Sequence, residues 1–468
     1  MPFLLAILSV LLAAPATDWQ RFRGPNGSGL SDTTGLPAEF GPAQNVVWKI
    51  DLPEGFSSPI ISGNRIFLTG FRDDALLTFA VDRTTGKVLW EKAAPRDRKE
   101  KLDPRNHPAA PSAATDGERA FVFFGDYGLI AYDVAGRELW RKPLGPFNNI
   151  YGMGASPIVV DDLVVLACDQ STGSFIAAFD RNTGRERWRT PRPEARSGHS
   201  TPIVYTQPRG PKQVILPGSF LLSAYAADTG KRLWWVGGLS FELKSVPVVE
   251  GDTLYINGFG SGENEPGRRV AVAPSADVFP AADKDKNRKL TTEELPTKHA
   301  ADALAFIDLD GDKALSVEEW DYYKAAMDSE NGMLAIRLGG SGDMTVKSVR
   351  WAYRRAVPQL PSPLIYQHVL YMVNDGGIVT TLKPDTGELI KQGRLKGAID
   401  RYYASPVAAD GKIYMASEKG KVAVLKPGGD LEPAVVNDLQ DDIYATPALL
   451  DGRIYLRTRH TLYCFGIK

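Results

Sequence analysis

Short runs of alternating apolar and polar residues recur along most of this chain, and nearly every run stops at glycine, proline, asparagine or aspartate. A period of two puts one face of an extended segment against a core, so the pattern predicts strands rather than helices. A small or hydroxyl residue followed by proline opens a strand pair in SSPIISGNRIFLTG, APSAATDGERAFVFF, ASPIVVDDLVVLACD, STPIVYTQPRGPKQVIL, SVPVVEGDTLYING, PSPLIYQHVLYMV, ASPVAADGKIYMAS and ATPALLDGRIYLRT. The prolines of these eight copies are Pro59, Pro111, Pro157, Pro202, Pro247, Pro363, Pro406 and Pro447. Most steps between them are about 40–50 residues, the length of a repeating four-stranded unit. The step from Pro247 to Pro363 is far longer and predicts an insertion in the fifth copy.

Within each copy a pair such as D-G or G-N separates two apolar runs, the mark of a hairpin whose turn needs positive φ. A second turn follows in VDRTTGKVLW, YDVAGRELW, FDRNTGRERW, AADTGKRLW and LKPDTGELI, closing at Gly86, Gly136, Gly184, Gly230 and Gly387. Two hairpins make one four-stranded antiparallel sheet. Its fourth strand carries Trp90, Trp140, Trp188, Trp234 or Trp351, a large ring expected to pack between neighbouring sheets against the turn glycine. The last copy stops at LYCFGIK after its third strand, whereas NVVWKIDL near the N-terminus holds Trp48 in fourth-strand phase without a partner. Pairing these two ends removes both exposed edges. The expectation is an all-β, eight-bladed β-propeller with four-stranded antiparallel blades and a small α-helical insertion in blade 5.

The AxDxxTGKxxW turn and the small-Pro strand openings resemble the pyrroloquinoline-quinone (PQQ) type propeller repeat, from roughly Trp19 to Lys468 apart from the insert. That family includes quinoprotein alcohol dehydrogenases and the non-catalytic propeller of the outer-membrane assembly machinery. The opening DWQRFRGPNGSGLS further resembles the N-terminus of exported bacterial proteins that carry this propeller. In the dehydrogenases the resemblance implies a quinone over the propeller axis, typically against a disulfide of adjacent cysteines, with a Glu/Asn/Asp calcium site and a catalytic Asp. This chain has no adjacent cysteines, so PQQ is possible as a cofactor but not supported by site residues.

Inside the long step the period changes to a helical, charge-rich segment holding DKDKNRKLTTEE and DLDGDKALSVEE. In an EF-hand loop, oxygens from positions 1, 3, 5, 7, 9 and 12 surround one calcium ion, the last from a bidentate glutamate. The first loop offers Asp283, Asp285, Asn287, the carbonyl of Lys289, Thr291 and Glu294. The second offers Asp308, Asp310, Asp312, the carbonyl of Ala314, Ser316 and Glu319. Leu290 and Leu315 fall where paired loops join through a short β-bridge. Arg288 and Lys313 stand where glycine is usual, at a cost on the order of 1 kcal/mol for a Cβ in the left-handed region. Lys284, Lys286, Arg288 and Lys289 crowd the first loop with positive charge, so the second is expected to bind calcium more tightly. One helix over LPTKHAADALAFI is expected to serve both loops, with Ala301, Leu304, Ala305 and Phe306 or Ile307 facing inward.

Composition narrows the function classes. A net charge of −1, with 43% hydrophobic and 24% charged residues, fits a soluble globule and gives no basic excess for nucleic acid. Apolar Pro2 to Leu12 followed by Ala14-Pro15-Ala16 reads as an export signal, although its n-region lacks Lys and Arg. The expected layout is a signal peptide over 1–16, propeller over 17–270, the EF-hand pair over 271–332 and propeller again over 333–468, periplasmic or secreted. No later stretch is long and apolar enough to span a bilayer. Cys168 and Cys464 lie in distant repeats and are expected to remain unbridged. Asn106, His107, His199, Lys244, Arg401, Tyr402, Tyr403 and Tyr444 precede the strand openings and are expected at one mouth of the axial channel. That mixture suits an anionic or quinone-like ligand or a peptide segment. The leading expectation is a non-catalytic binding platform for a protein or peptide partner. The alternative is a quinoprotein-like oxidoreductase that uses a noncovalent quinone to oxidise alcohols or sugars.

Overall fold

The computed structural model describes residues 18–207 and 210–467, so the expected export signal lies outside the described residues. Eight antiparallel sheets surround one axis, each built from two hairpins. Blade 1 runs Ile60–Ser62, Arg65–Arg72, Ala75–Asp82 and Val88–Ala94 from the axis outward. Blade 8 is composite: Ala448–Leu450, Arg453–Arg457 and Thr461–Gly466 take Val46–Asp51 as their fourth strand, with Trp48 opposite Cys464. The ring therefore closes through the two ends of the chain. Proline suits the position just before the innermost strand, which it holds in seven blades, because that edge faces the axis and has no ladder partner to receive an N–H.

Tryptophan wedges lock the seams between blades. The rings of Trp48, Trp90, Trp140, Trp188 and Trp351 lie on the turn glycine of the following blade, at Gly86, Gly136, Gly184, Gly230 and Gly387 respectively. Each indole N–H also donates to a carbonyl beside that turn, as from Trp140 to Arg181 at 3.0 Å and from Trp351 to Pro384 at 2.8 Å. A Cβ on any of these glycines would stand 2.4 to 2.6 Å from a ring atom. Trp234 departs from this rule and donates to Gln213 Oε1 in its own blade, at 2.8 Å. Blade 5 has no Asp-Thr-Gly turn to receive it. Instead, the longer link between the third and fourth strands of blade 5 adds Gly342–Asp343 in parallel to the outer edge of blade 4, making that sheet five-stranded.

Near the axis a second ring of bonds links the blades. The backbone N–H of Ser58 donates to Ser112 Oγ, that of Ser112 to Ser156 Oγ, and that of Ser156 to Thr201 Oγ1, all at 2.9 to 3.0 Å. The same step runs from Val246 to Ser362, Ser405, Thr446 and back to Ser58. This ring fixes the phase of each repeat. In blade 2 the hydroxyl position is Ser112, so Ala113, not Pro111, stands where the other blades have proline. The N-terminal segment then crosses one end of the axis. Trp19 bridges Ile61 of blade 1, Arg23 donates to the Pro363 carbonyl at 2.7 Å, and Gly29 O accepts from Ala408 N at 2.9 Å. Arg21 caps the Pro202 carbonyl in the same way. Burial pushes the Arg21 and Arg23 guanidiniums down to about 9.

The chain leaves blade 5 after the strand Thr253–Gly258 and returns in Gly332–Arg337. The excursion contains helices α1 (Ser275–Ala282), α2 (Lys298–Ile307) and α3 (Val317–Asp328). Lys289–Thr291 pairs with Ala314–Ser316, and Leu290 meets Leu315 across that bridge as the loop positions require. Both leucines are fully buried in a small core with Trp320, Tyr323 and Met327. Helix α2 is rotated by about one position from the expected face. Ala300 and Ile307 are buried and Leu304 partly so, whereas Ala305 and Phe306 are exposed. Phe306 is apolar but points away because Ile307 already fills the slot beside Leu315.

Candidate functional site

A cavity of about 470 Å³ opens on the axis at the end opposite the N-terminal segment. Phe22 of that segment forms its floor. Above Phe22 lie ring hydroxyls of Ser58, Ser112, Ser156, Thr201 and Thr446. The next tier comes from the residue two places before the ring position in every blade. Going round, these are Phe56, Ala110, Gly154 and His199, then Lys244, Leu360, Tyr403 and Tyr444, and all eight line the cavity. One repeat position therefore builds the wall. Blades 2 and 3 supply only Ala110 and Gly154 at this position. Blades 1, 8 and 7 supply stacked rings, Phe56 on Tyr444 at 4.0 Å between centroids and Tyr444 on Tyr403 at 5.4 Å.

Every cation at this site has a carboxylate beside it. Arg105 grips Asp103 through two bonds, of 2.7 and 2.9 Å. That contact lowers the Asp103 carboxyl and raises the guanidinium. Lys244 Nζ lies 2.5 Å from Glu242 Oε2, with both side chains nearly buried. Arg401 donates to the Tyr403 hydroxyl at 3.2 Å and lies 3.9 Å from Glu418. Lys244 and Arg105 flank the face of Tyr151 at 5.4 and 5.8 Å. Burial, assisted by the charge of Lys244, pushes the His199 imidazole down to about 3, so the ring is neutral near pH 7. Burial raises the Asp375 carboxyl above its ordinary range despite the 3.1 Å bond it accepts from Gln359 N. The site thus offers aromatic faces and paired charges, with neutral hydrogen-bonding groups between them.

Six of the eight residues expected at this mouth line it: Asn106, His199, Lys244, Arg401, Tyr403 and Tyr444. Two do not. His107 is turned inward against Phe56, with ring centroids 4.8 Å apart, and its Nδ1 accepts from Ala109 N at 3.1 Å. Tyr402 is fully buried and donates to the Ala398 carbonyl at 2.7 Å. Phe22, Phe56, Asp103, Arg105, Tyr151, Gln359 and Asp375 were not anticipated. The signal for Phe56 was in the chain, since it holds the same repeat phase as His199 and Tyr444. Asp103, Arg105 and Tyr151 sit on long inter-blade loops that no period reaches.

In the insert, carboxylate oxygens of Asp283, Asp285 and Glu294 lie within 4.8 Å of one another, and so do those of Asp308, Asp310 and Asp312. The geometry supporting them is that of two short loops. Arg288 and Lys313 adopt φ of 64° and 73°, the left-handed turn expected at the sixth position. Asn287 Nδ2 donates to Asp285 Oδ2 at 2.8 Å, and the Thr291 hydroxyl donates to Glu294 at 3.0 Å. Lys289 and Ala314 sit in the bridge that joins the loops. Glu319 lies outside the second group: its Oε1 accepts from Leu309 N at 2.6 Å, and its Oε2 from Ser316 N and Oγ at 2.9 Å. Lys289 of the first loop pairs with Asp312 of the second, so its charge acts on the better-endowed loop. The insert also reaches the cavity rim, where Leu309 O accepts from Asn148 Nδ2 at 2.8 Å and Phe306 lies 6.4 Å from Tyr151.

Comparison with known proteins agrees with the geometry. Outer membrane protein assembly factor BamB of Shewanella oneidensis is 22% identical over 425 residues, 85% of this chain and 92% of that protein. The 1-butanol dehydrogenase (quinone) of Thauera butanivorans is 32% identical over 199 residues, 37% of this chain but only 29% of the dehydrogenase. A europium-containing methanol dehydrogenase shares the fold, with a TM-score of 0.63 at 9% identity over 96% of this chain and 98% of that one. Among the described residues no helix is long and apolar enough to cross a membrane. A family model described as outer membrane protein assembly factor BamB matches residues 42–205 and 174–467, so the chain belongs to that family of PQQ-type β-propellers.

Proposed function

We propose that this chain is an exported, non-catalytic propeller that receives a ligand or partner segment in its axial pocket and carries calcium in an EF-hand pair inserted in blade 5. The observation that carries the reading is the pocket itself, walled by one repeat position from all eight blades and floored by Phe22. A site with fixed walls and paired charges binds without reorganising, as a receptor should. A quinone held through its carboxylates by Arg105 or Lys244 would have to draw that cation from Asp103 or Glu242. Both cysteines lie in blade cores away from the pocket.

Asp283, Asp285, Asn287, Lys289, Thr291 and Glu294 would hold one calcium ion, and Asp308, Asp310, Asp312, Ala314, Ser316 and Glu319 the other. The ion would supply a structural clamp across loops that otherwise crowd like charges. A second reading, a quinone-dependent oxidoreductase, is favoured by the raised Asp375 carboxyl in the pocket and by the similarity to the butanol dehydrogenase. Two measurements separate these readings. Calcium calorimetry on wild type, Glu294→Gln and Glu319→Gln is expected to show two sites, with one lost in each variant. Dye-linked oxidation of alcohols and sugars, with added quinone and calcium, is expected to show no turnover. Turnover lost on replacing Asp375 would sink the platform reading.

A further inference from the structure

The pocket's charge balance and its shape together narrow what it can hold. An anionic ligand held by Lys244 would have to pull it from Glu242, leaving a nearly buried carboxylate without its partner, and one held by Arg105 would have to break its two bonds to Asp103. A cationic ligand held by Asp103 or Glu242 meets the same obstacle from the other side. A wholly apolar ligand would leave the floor unmatched. Each ring hydroxyl accepts a backbone N–H from its neighbour, and among the described residues the O–H protons of Ser58, Ser112, Ser156, Thr201 and Thr446 have no protein acceptor. A hydroxyl that has accepted one bond still donates one, so these groups present donors to whatever rests above Phe22.

We propose, resting on the receptor reading above, that the axial pocket takes a neutral saccharide. Sugar rings combine apolar C–H faces with a rim of hydroxyls that both donate and accept. Phe56, Tyr444 and Tyr403 line the pocket with aromatic carbon against which the C–H groups of a sugar can pack. Neutral His199, Gln359 and Asn106 provide polar groups around it, and the floor hydroxyls provide donors.

The test is calorimetry on the full chain with maltose, cellobiose and N,N′-diacetylchitobiose in turn, and with pyrroloquinoline quinone as the anionic comparison. At least one disaccharide is expected to bind with a stoichiometry of one. Its affinity should not change between about 0.05 and 0.5 M salt, because no net charge is neutralised. Tyr444→Ala is expected to weaken binding by at least tenfold and Tyr444→Phe to preserve it. Ala110→Leu adds bulk to the pocket lining and should abolish binding while its melting temperature and circular dichroism stay those of wild type. Failure of all three disaccharides to bind overturns the proposal. Salt-sensitive binding of the quinone alone, blocked by Ala110→Leu, also overturns it but leaves the pocket as a ligand site. Saccharide binding that survives both Tyr444→Ala and Ala110→Leu instead removes the pocket from the account altogether.

Discussion

Gly184→Ala should separate the two demands that a blade seam makes on its turn glycine. Gly184 has φ of +69°, and a Cβ there would stand 2.6 Å from the Trp140 ring. Gly411, in a hairpin turn of blade 7, has φ of +67° and nothing within 4 Å of the same position. Alanine in the left-handed region costs about 1–2 kcal/mol at either site. Only at Gly184 must the ring or the turn also move, which adds about 1–3 kcal/mol of overpacking. Equilibrium urea unfolding followed by tryptophan fluorescence should therefore show a loss of about 2–5 kcal/mol for Gly184→Ala and about 1–2 kcal/mol for Gly411→Ala. In a Trp140→Ala background the added cost of Gly184→Ala should fall to that of Gly411→Ala, since the obstructing ring is gone. Equal losses at the two glycines, or an undiminished loss in that background, would refute the wedge as a steric lock.

Three other outcomes follow from burial and charge. Burial raises both thiols, Cys464 to about 12, so a thiol reagent should find no reactive group in native protein and two after denaturation without reductant. Burial lowers His107 to about 4, so the unfolded chain binds a proton near pH 6.5 that the folded one refuses. Stability should then be at its full value above about pH 6.5 and fall as pH drops toward 4, with His107→Asn showing a slope shallower by about one proton. Lys289→Met removes the cation paired with Asp312 and should tighten calcium at the second loop as read by calorimetry, whereas an unchanged or weaker site would show that this pair does not oppose the ion.

Much of the ring was legible because its rules are local and repeated. Small-Pro openings mark the innermost strands of seven blades and Asp-containing turns that close on glycine mark the outer hairpins of five, and the unpaired Trp48 strand could pair only with the equally unpaired C-terminal one. Legibility failed where the repeat is broken. Pro111 misled because proline itself is not what the axis selects: the hydroxyl that accepts the neighbouring blade's N–H is, and Ser112 supplies it. Trp234 lost its expected seam because blade 5 lacks the turn that would receive it. The axial mouth was half legible. His199, Lys244, Tyr403 and Tyr444 share one phase, whereas His107 and Tyr402 are one residue or more out of phase and turn inward. Phe22 was hidden for another reason, since nothing local says that an irregular N-terminal segment crosses the axis. In the insert, the Leu290–Leu315 bridge followed from loop spacing alone. The pairing of Lys289 with Asp312 did not, because it joins two loops whose relative placement only the fold sets.

The axial pocket, with Lys244 and Arg105 already paired, is either a receptor or a quinone site. Absorbance titration of the purified full chain with pyrroloquinoline quinone, in the presence of calcium, measures this most directly. The paired charges predict no saturable spectral change. A stoichiometric complex that is lost on Lys244→Ala or Ala110→Leu would place a quinone on the axis and contradict the account.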